Sequence, residues 1–454
     1  MKTKKLWLSF GVLCVAALRG AEPPAFHAWA PTPPMGWNSW DCFATTVTEA
    51  QTKAHADIMA EKLAKHGYNI VTVDIQWYEP EARGFGYRKG AKLVMDEHGR
   101  LLPATNRFPS AADGAGFKPL ADYIHAKGLK FGIHLLRGIP RQAVEQNTPI
   151  LGATPHAADI ADREHVCKWN SDMFGVDMTK PGAQAYYDSV FALIAAWDVD
   201  FVKVDDLSRP YEQNAPEVEA IRRAIDRTGR AMVLSLSPGE TPVAQGEHVA
   251  AHANLWRISD DFWDKWPLLL SQFERLRKWA PFVGPGHWPD ADMLPLGTLE
   301  MGKRQTRFSP AEQRTMMTLW CIARSPLILG ADLTKLDDAT LALITNDEVL
   351  AVDQHSLNNH QLFAHDGFIA WLADVPGSPD KYLAVFNTNN APAAVEAQPA
   401  PVASGKISVS LADLGFADAA HVRDLWAQAE VGEVRSEFAP EIVWHGAGLW
   451  RVTP

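Results

Sequence analysis

Short, continuously apolar runs alternate with longer segments whose apolar residues recur every three or four positions, between about residue 35 and residue 350. Continuous apolar runs are typical of strands buried on both faces, and the longer spacing is typical of amphipathic helices. The apolar runs predict eight strands: Met35–Trp40, Asn69–Trp77, Leu129–Leu136, Val199–Asp205, Ala231–Ser237, Asn254–Ser259, the region Trp288–Met293, and Ser325–Gly330. Eight strand–helix units over about 300 residues favour an α/β fold closed as a (β/α)8 TIM barrel over an open doubly wound sheet.

The N-termini of two helices are predicted from local sequence signals. Thr46-Val47-Thr48-Glu49 has the form of a capping box, so a helix is expected to begin there and to end near Gly67. Pro216 is expected at the first position of a helix that runs to Arg227, because a missing N–H costs nothing at that position.

The pattern changes after about Asp353, where short strand-like runs alternate with Pro, Gly and Asn turns. The runs are Phe368–Leu372, Tyr382–Asn387, Lys406–Ser410, His421–Trp426 and Gly448–Val452. They predict a C-terminal antiparallel β-sandwich. The expected organisation is a barrel over residues 30–352 and a sandwich over residues 353–454. No low-complexity linker separates them, so the two domains are expected to share an interface.

The N-terminus has the pattern of an export signal. Three lysines precede an apolar run over residues 6–18, which is too short to span a bilayer comfortably. A signal peptide is predicted over residues 1–21, with cleavage after Ala17 or after Ala21. The sequence before Cys14 is not a convincing lipobox, so soluble export to the periplasm or the extracellular space is expected; a retained anchor is the alternative.

Composition narrows the range of partners. The 454 residues include 43 Lys and Arg against 54 Asp and Glu, a net charge of −11, which argues against nucleic acid or an anionic membrane as a partner. Tryptophan occurs 17 times, and aromatic faces can stack on sugar rings, although most tryptophans pack in cores. Cys42, Cys167 and Cys321 match no zinc spacing and are interpreted as buried thiols. Neither a metal nor an organic cofactor is predicted, and the oligomeric state stays open.

Polar residues occupy the predicted strand ends, where TIM barrels have their active sites. These ends carry Trp40, Asp74, His134, Asp205, Ser237, Asp261 and Asp292. Lys203 precedes Asp205 by two residues and therefore shares its face of the strand, where it would keep the carboxylate ionised. Arg257 precedes Asp261 by four. Two carboxylates beside cations are what a retaining glycosidase needs, one as nucleophile and one as acid and then base.

Each of these residues also has a structural interpretation. Asp206 and Asp260, which neighbour the two candidate catalytic carboxylates, are interpreted as caps of the following helices. His134 could be a satisfied core histidine, Lys203 a structural partner of any nearby carboxylate, and Trp40 a core residue. The constellation is stronger evidence than any one member.

The same stretches resemble glycoside hydrolase family 27, the α-galactosidase (melibiase) group, over almost all of the chain after the predicted signal. The matching segments are Pro33–Trp40, Val202–Asp205, Trp256–Asp261, Pro289–Leu294, Arg423–Trp426 and His445-Gly446. The resemblance implies that Asp205 is the nucleophile and Asp261 the acid/base. It implies a set of substrate-binding residues: Trp40 as an aromatic platform, Asp74, His134, Lys203, Ser237, Arg257 and Asp292.

Several departures from the family pattern lie near the sugar. The family usually has two adjacent aspartates at the second strand, and here Asp74 is followed by Ile75. The third strand usually ends in Tyr, and here it carries His134 and then a basic run over residues 137–141. Ser237 stands where relatives place a contact to the sugar 2-position, and Leu207 where a disulfide cysteine is expected. Catalysis is expected to survive. Either His134 and the basic run compensate for Ile75, which is the favoured interpretation, or the preferred sugar presents less polarity at that position.

The predicted function is a retaining exo-glycosidase that removes terminal α-D-galactosyl residues from oligo- or polysaccharides by double displacement. The alternative glycones are α-N-acetylgalactosaminide, β-L-arabinopyranoside and α-glucoside. A catalytically dead sugar-binding protein is the alternative outside enzymology; the intact catalytic aspartates and their cations argue against it.

Overall fold

A computed structural model describes residues 23–390 and 404–454, so the predicted signal peptide at 1–21 lies outside the described residues. Eight parallel strands form one curled sheet: Met35–Asn38, Ile70–Val73, Lys130–Leu136, Phe201–Asp205, Val233–Leu236, Leu255–Arg257, Trp288–Asp290 and Leu327–Leu329. They lie in chain order, and the last pairs with the first. A bridge between Leu294 and Leu329 joins the two ends of the sheet. The predicted (β/α)8 barrel is confirmed.

Helices follow each barrel strand and cover the outside of the barrel. They are Glu49–Ile58, Lys118–His125, Ala183–Ala196, Tyr211–Thr228, Gly246–Ala250, Trp266–Trp279, Pro310–Ala323, and the pair Asp338–Ile344 and Asp347–His355. Their apolar residues face inward at helical spacing, as with the fully buried Val218, Ile221 and Ile225. Three short helices, Trp40–Phe43, Arg141–Gln146 and Ala157–Ile160, lie in the loops after the first and third barrel strands.

The capping box of the first long helix lies two residues later than predicted. The Thr48 N–H donates to Gln51 Oε1 at 2.9 Å, and Thr48 Oγ1 accepts from the Gln51 N–H at 3.3 Å. The prediction at Thr46 was wrong because that hydroxyl is already used, donating to the Phe43 carbonyl at 2.7 Å. The helix continues through a π-helical turn, Met59–Leu63, and a 3-10 turn, Ala64–His66, and Gly67 then ends it in a left-handed conformation with a φ of 99°.

The helix predicted to begin at Pro216 begins at Tyr211 instead, so Pro216 lies inside it. Contacts ahead of the proline fix this first turn. Tyr211 is fully buried, and Asn214 Nδ2 donates to the Asp206 carbonyl at 3.0 Å. Tertiary packing therefore begins the helix before the residue that local preference favours.

The C-terminal domain is an antiparallel sandwich, as predicted. Its larger sheet has six strands in the order Leu357–His365, Phe368–Asp374, Lys381–Asn387, Ala447–Thr453, Ala419–Asp424 and Ala429–Arg435. Two short pairs complete it: Ser404–Lys406 with Glu441–Val443, and Val409–Ser410 with Glu437–Phe438. The first and last strands of the larger sheet were not predicted. They are edge strands whose mostly polar, exposed positions give no apolar run.

The barrel and the sandwich share an interface. Arg423 Nη2 lies 2.7 Å from Glu348 Oε1, Asn346 Nδ2 donates to the Leu425 carbonyl at 2.8 Å, and Thr315 Oγ1 donates to the His445 carbonyl at 2.6 Å. The helix Asp347–His355 runs through the boundary predicted between residues 352 and 353, so the sandwich begins after this helix.

Two further findings concern the described part of the chain. Cys42, Cys167 and Cys321 are buried free thiols, as the sequence predicted. Across residues 23–390 and 404–454, the structure contains no helix with the length and apolar character needed to cross a membrane.

Candidate active site

A cavity of about 1040 Å³ opens at the carboxyl ends of the barrel strands. We call it the active-site cavity. Seven of the nine predicted site residues line it: Trp40, Asp74, Lys203, Asp205, Arg257, Asp261 and Asp292. The sequence had placed these residues on or directly after five different strands, and barrel closure brings them to one rim.

Asp205 is the last residue of the fourth barrel strand and is 6% exposed. Lys203 Nζ lies 3.7 Å from its Oδ1, His134 Nε2 lies 2.9 Å from its Oδ2, and the Ser237 hydroxyl donates to Oδ1. Burial alone would raise the pKa of Asp205, but Lys203 and His134 outweigh it, so the pKa lies well below its ordinary value. The carboxylate is therefore held ionised, as a nucleophile must be.

His134 and Ser237 take a different place from the one predicted. Both were expected to contact the sugar, but neither is among the residues that line the active-site cavity. His134 is fully buried and Ser237 is 1% exposed. The two side chains contact Asp205 from behind the cavity surface.

Asp74 and Lys203 form a buried ion pair beside Asp205. Lys203 Nζ donates to Asp74 Oδ2 at 2.9 Å, and Asn38 Nδ2 donates to the same oxygen at 2.7 Å. Burial lowers the pKa of Lys203, but the carboxylates of Asp205 and Asp74 outweigh it and raise that pKa above its ordinary value. The ammonium is fixed between two carboxylates, both of which line the cavity.

Asp74, His134 and Asp205 also offer ligand atoms within 4.8 Å of one another, as a metal site would. The Lys203 ammonium already lies against both carboxylates, however. A divalent ion among these ligands would face that positive charge at close range, which is unfavourable in a buried site. The donor set therefore fits an ammonium and sugar hydroxyls, and does not fit a metal ion.

Arg257 bridges the second pair of carboxylates. Its Nη2 lies 2.7 Å from Asp292 Oδ2 and 3.3 Å from Asp261 Oδ1. The Asp261 side chain is 56% exposed at the cavity mouth, whereas Asp292 is 6% exposed. Burial, together with Asp261 and Asp290, raises the pKa of Asp292 to about 7, although Arg257 opposes the shift. Asp261 is therefore the more exposed of the two carboxyls that Arg257 contacts.

Asp41 and Ile75 are cavity residues beside Trp40 and Asp74 that were outside the predicted set. Asp41 follows Trp40 directly and is 4% exposed; burial and then Asp292 raise its pKa well above the ordinary value. Ile75 follows Asp74, is 1% exposed, and places an apolar side chain in the cavity wall. The sequence showed Ile75 only as a departure from the family pattern. For Asp41, the signal in the sequence was its position directly after Trp40.

Asp206 and Asp260 do not cap the following helices, so that interpretation was wrong. Asp206, with a φ of 68°, pairs through Oδ2 with Arg137 Nη2 at 2.8 Å, and the Arg137 N–H donates to the Asp205 carbonyl at 3.0 Å. Asp260 pairs with the exposed Arg209 at 2.7 Å. Asp206 and Asp260 form ion pairs with arginines of other loops, so their carboxylates do not bind the helix N-termini that the local sequence predicts.

A buried network extends from Asp206 behind the nucleophile strand. Arg137 Nη1 lies 2.7 Å from Glu217 Oε1, and the Tyr187 hydroxyl donates to the other oxygen of Glu217. Arg137 Nη2 also donates to the His165 carbonyl at 3.1 Å. One arginine thus joins the nucleophile strand to the loop around residue 165, which lines the cavity.

Comparisons with known proteins match both domains of the chain to one family. The Alpha galactosidase A family matches residues 32–178 and 175–355, and the Alpha galactosidase C-terminal beta sandwich domain matches residues 366–452. A variant of a family 27 β-L-arabinopyranosidase from Geobacillus stearothermophilus, solved in complex with arabinose, is 49% identical with a TM-score of 0.90, over 95% of this chain and 99% of that one.

Curated relatives are more distant. Alpha-galactosidase 3 from Arabidopsis thaliana is 29% identical over 94% of this chain and 82% of its own length. Alpha-N-acetylgalactosaminidase from Gallus gallus is 28% identical over 72% of this chain and 71% of its own length. With the two family matches spanning barrel and sandwich, the chain belongs to glycoside hydrolase family 27 and is a glycoside hydrolase.

Proposed function

We propose that this enzyme is a retaining exo-glycosidase whose preferred glycone is β-L-arabinopyranosyl, with α-D-galactosyl as the second candidate. The observation that carries the proposal is Ile75 in the cavity wall directly after Asp74. β-L-Arabinopyranose has the ring configuration of α-D-galactopyranose without its 6-hydroxymethyl group. A hydroxymethyl against Ile75 would leave a buried hydroxyl without a partner, at a cost of about 1–3 kcal/mol. A pentose has no such group.

Sequence similarity supports the same choice of glycone. The arabinopyranosidase relative is 49% identical to this chain over almost its whole length. The Arabidopsis thaliana alpha-galactosidase is 29% identical. The ring hydroxyls that the two sugars share can use the same Asp74–Lys203 pair, so the galactoside stays a plausible slower substrate.

The chemistry follows from the contrast between the two catalytic carboxyls. In the first step an Asp205 oxygen attacks the anomeric carbon, the bond to the leaving oxygen breaks, and the Asp261 proton passes to that oxygen. In the second step a water oxygen attacks the same carbon, its proton passes to Asp261, and the bond to Asp205 breaks. Two inversions give net retention.

Exo action is supported by the floor of the active-site cavity. Asp74, Asp205 and Asp292 are between 1% and 6% exposed, and Lys203 lies among them. A cavity with such a closed floor accepts the terminal sugar of a chain from its open side. The rest of the substrate would then leave through the mouth past Asp261.

The test compares kcat/KM on four nitrophenyl glycosides: β-L-arabinopyranoside, α-D-galactoside, α-N-acetylgalactosaminide and α-D-glucoside. We expect the arabinopyranoside to lead the galactoside by about tenfold or more, the factor that an unpaired hydroxyl accounts for. A higher kcat/KM on the α-D-galactoside than on the β-L-arabinopyranoside would overturn the proposed glycone and restore the α-D-galactosyl glycone predicted from the sequence. The anomeric form of the first product, followed by NMR, tests retention. Turnover of none of the four would favour the sugar-binding alternative.

We also propose that the enzyme is exported through the pattern at residues 1–21. The test expresses the full chain and a chain that lacks residues 1–21, and measures activity in cytoplasmic, periplasmic and medium fractions. Export of the full chain alone is expected, and N-terminal sequencing of the exported protein would identify the cleavage site. Equal retention of both in the cytoplasm would refute the proposal.

A further inference from the structure

The active-site cavity has a row of aromatic side chains on one side. The five rings that form it all line the cavity: Trp263, Phe85, Trp40, Tyr87 and Trp169. Successive ring centroids along this row are 5.8, 5.4, 6.1 and 5.5 Å apart. We call these five residues the aromatic wall. Only Trp40 had a predicted role, as a platform for the terminal sugar.

Exposure divides the cavity into a floor and a mouth. The catalytic and hydroxyl-binding groups on the floor are almost fully buried, with Asp205 and Asp292 each 6% exposed. Trp169, at the outer end of the aromatic wall, is 38% exposed, and the Asp261 side chain is 56% exposed. Trp169 and Asp261 are therefore both open to solvent at the cavity mouth, whereas the groups on the floor are not.

Trp169 is held in this exposed position by a fixed loop. Its loop neighbours Cys167 and Asn170 are 5% and 3% exposed, and Asn170 Oδ1 accepts from the Asp172 N–H at 2.6 Å. Arg137 Nη2 donates to the His165 carbonyl in the same loop. A large ring presented on an anchored loop at a cavity mouth is typical of a binding surface.

The size and lining of the cavity indicate the occupant. Its volume of about 1040 Å³ is at the upper end of the range of about 300–1,000 Å³ for small-molecule sites, so it has room beyond one pentose. Beside Trp169 the cavity is lined by Lys168 and Glu164, and Gln213 also lines it. An aromatic face flanked by hydrogen-bonding side chains suits a pyranose, which has an apolar ring face and a rim of hydroxyls.

We propose that Tyr87 and Trp169 form a leaving-group subsite that stacks the second sugar of the substrate. The substrate class is then an oligo- or polysaccharide in which the terminal sugar is linked to another pyranose. This inference rests on the proposed exo-glycosidase function, because Asp261 must protonate the oxygen that joins the two sugars.

The test uses two donors that share a glycone and differ in the leaving group. The leaving group of β-L-arabinopyranosyl fluoride is a fluoride ion, which cannot stack on an aromatic ring. The leaving group of a β-L-arabinopyranosyl disaccharide of L-arabinose is a sugar, which would occupy the subsite. Trp169→Ala is expected to lower kcat/KM on the disaccharide by about three- to tenfold, the range for one aromatic stacking contact, with the fluoride changed less than about twofold. Trp169→Phe, which keeps a ring, is expected to restore most of the loss.

A second readout follows the covalent intermediate. L-Arabinose added to the fluoride reaction competes with water for the glycosyl-enzyme, and an occupied subsite favours transfer to the sugar. The ratio of transfer product to hydrolysis product is expected to fall in Trp169→Ala. Leu270→Ala is the matched control, since Leu270 is 41% exposed on the helix Trp266–Trp279 and does not line the cavity.

Two outcomes would overturn the subsite. One is an unchanged kcat/KM on the disaccharide, and the other is an equal loss on both donors, which would make Trp169 a structural residue. Failure of the glycone assignment is a separate result. If the wild-type enzyme turns over α-D-galactosyl fluoride faster than the arabinosyl fluoride, the same comparison is made with galactosyl donors and still decides the subsite.

Discussion

His134 Nε2 lies 2.9 Å from Asp205 Oδ2, and the imidazole is fully buried behind the cavity surface. The third and fourth barrel strands are neighbours in parallel register, with His134 opposite Lys203. Asp205, the proposed nucleophile, is therefore contacted from two sides, by an imidazole and by an ammonium. Lys203 and His134 both lower the pKa of Asp205 and so favour its charged form.

His134→Leu is expected to move the acidic limb of the kcat/KM profile to higher pH. The pKa of Asp205 is lowered in part by His134, so removing the imidazole raises that pKa, and the carboxylate becomes protonated at a higher pH. The measurement is kcat/KM against pH on an aryl glycoside. An acidic limb at the wild-type position would show that His134 only fills space. His134→Gln, which keeps a polar group of similar reach, is the control.

Lys203→Met is expected to cost about 3–5 kcal/mol of transition-state stabilisation, because it leaves Asp74 and Asp205 as buried carboxylates without their shared cation. The measurement is kcat/KM on the best aryl glycoside, with Tm recorded to show that the variant is folded. Near-normal kcat/KM in a folded variant would assign Lys203 a structural role only.

Asp205→Asn and Asp261→Asn are expected to respond differently to the leaving group. Loss of the nucleophile should abolish turnover of every substrate, however good its leaving group. Loss of the acid should spare substrates whose leaving group needs no proton, such as dinitrophenyl glycosides and glycosyl fluorides. The comparison is kcat/KM for each variant over a series of leaving groups. The reverse pattern would exchange the two roles.

Ile75→Asp is expected to raise the ratio of kcat/KM on α-D-galactoside to kcat/KM on β-L-arabinopyranoside by about tenfold. A carboxylate at this position can accept a hydrogen bond from the 6-hydroxyl, which Ile75 cannot, and one such bond accounts for about that factor. Ile75→Val is the matched control and should leave the ratio unchanged. An unchanged ratio in Ile75→Asp would remove Ile75 from the determinants of glycone choice.

Arg137→Met is expected to lower stability by about 3–5 kcal/mol, because Asp206 and Glu217 lose their cation while both stay largely buried. Denaturant unfolding measures this change. Arg209→Met is the control: the Arg209–Asp260 pair is exposed, with side chains 57% and 66% accessible, and such pairs contribute about 0–1 kcal/mol. Comparable losses in the two variants would contradict a special role for the buried network.

The sequence by itself determined the eight barrel strands, the C-terminal sandwich and the places of Asp205 and Asp261 at the carboxyl ends of two barrel strands. Those properties rest on local pattern: apolar runs of strand length, and the two-residue spacing that puts Lys203 and Asp205 on one face. The cysteine spacings, which match no zinc motif, predicted three buried thiols, and the structure has them. These properties could be predicted because each depends on residues that are close together in the sequence.

Tertiary structure alone decided which polar groups line the active-site cavity. Ion pairs between loops took Asp206 and Asp260 away from the helix ends that local preference assigned to them. Strand register placed His134 and Ser237 behind Asp205, although their positions at strand ends predicted sugar contacts. Barrel closure brings together residues more than a hundred positions apart, such as Asp74 and Lys203, and no local pattern encodes how deep each of their side chains then lies.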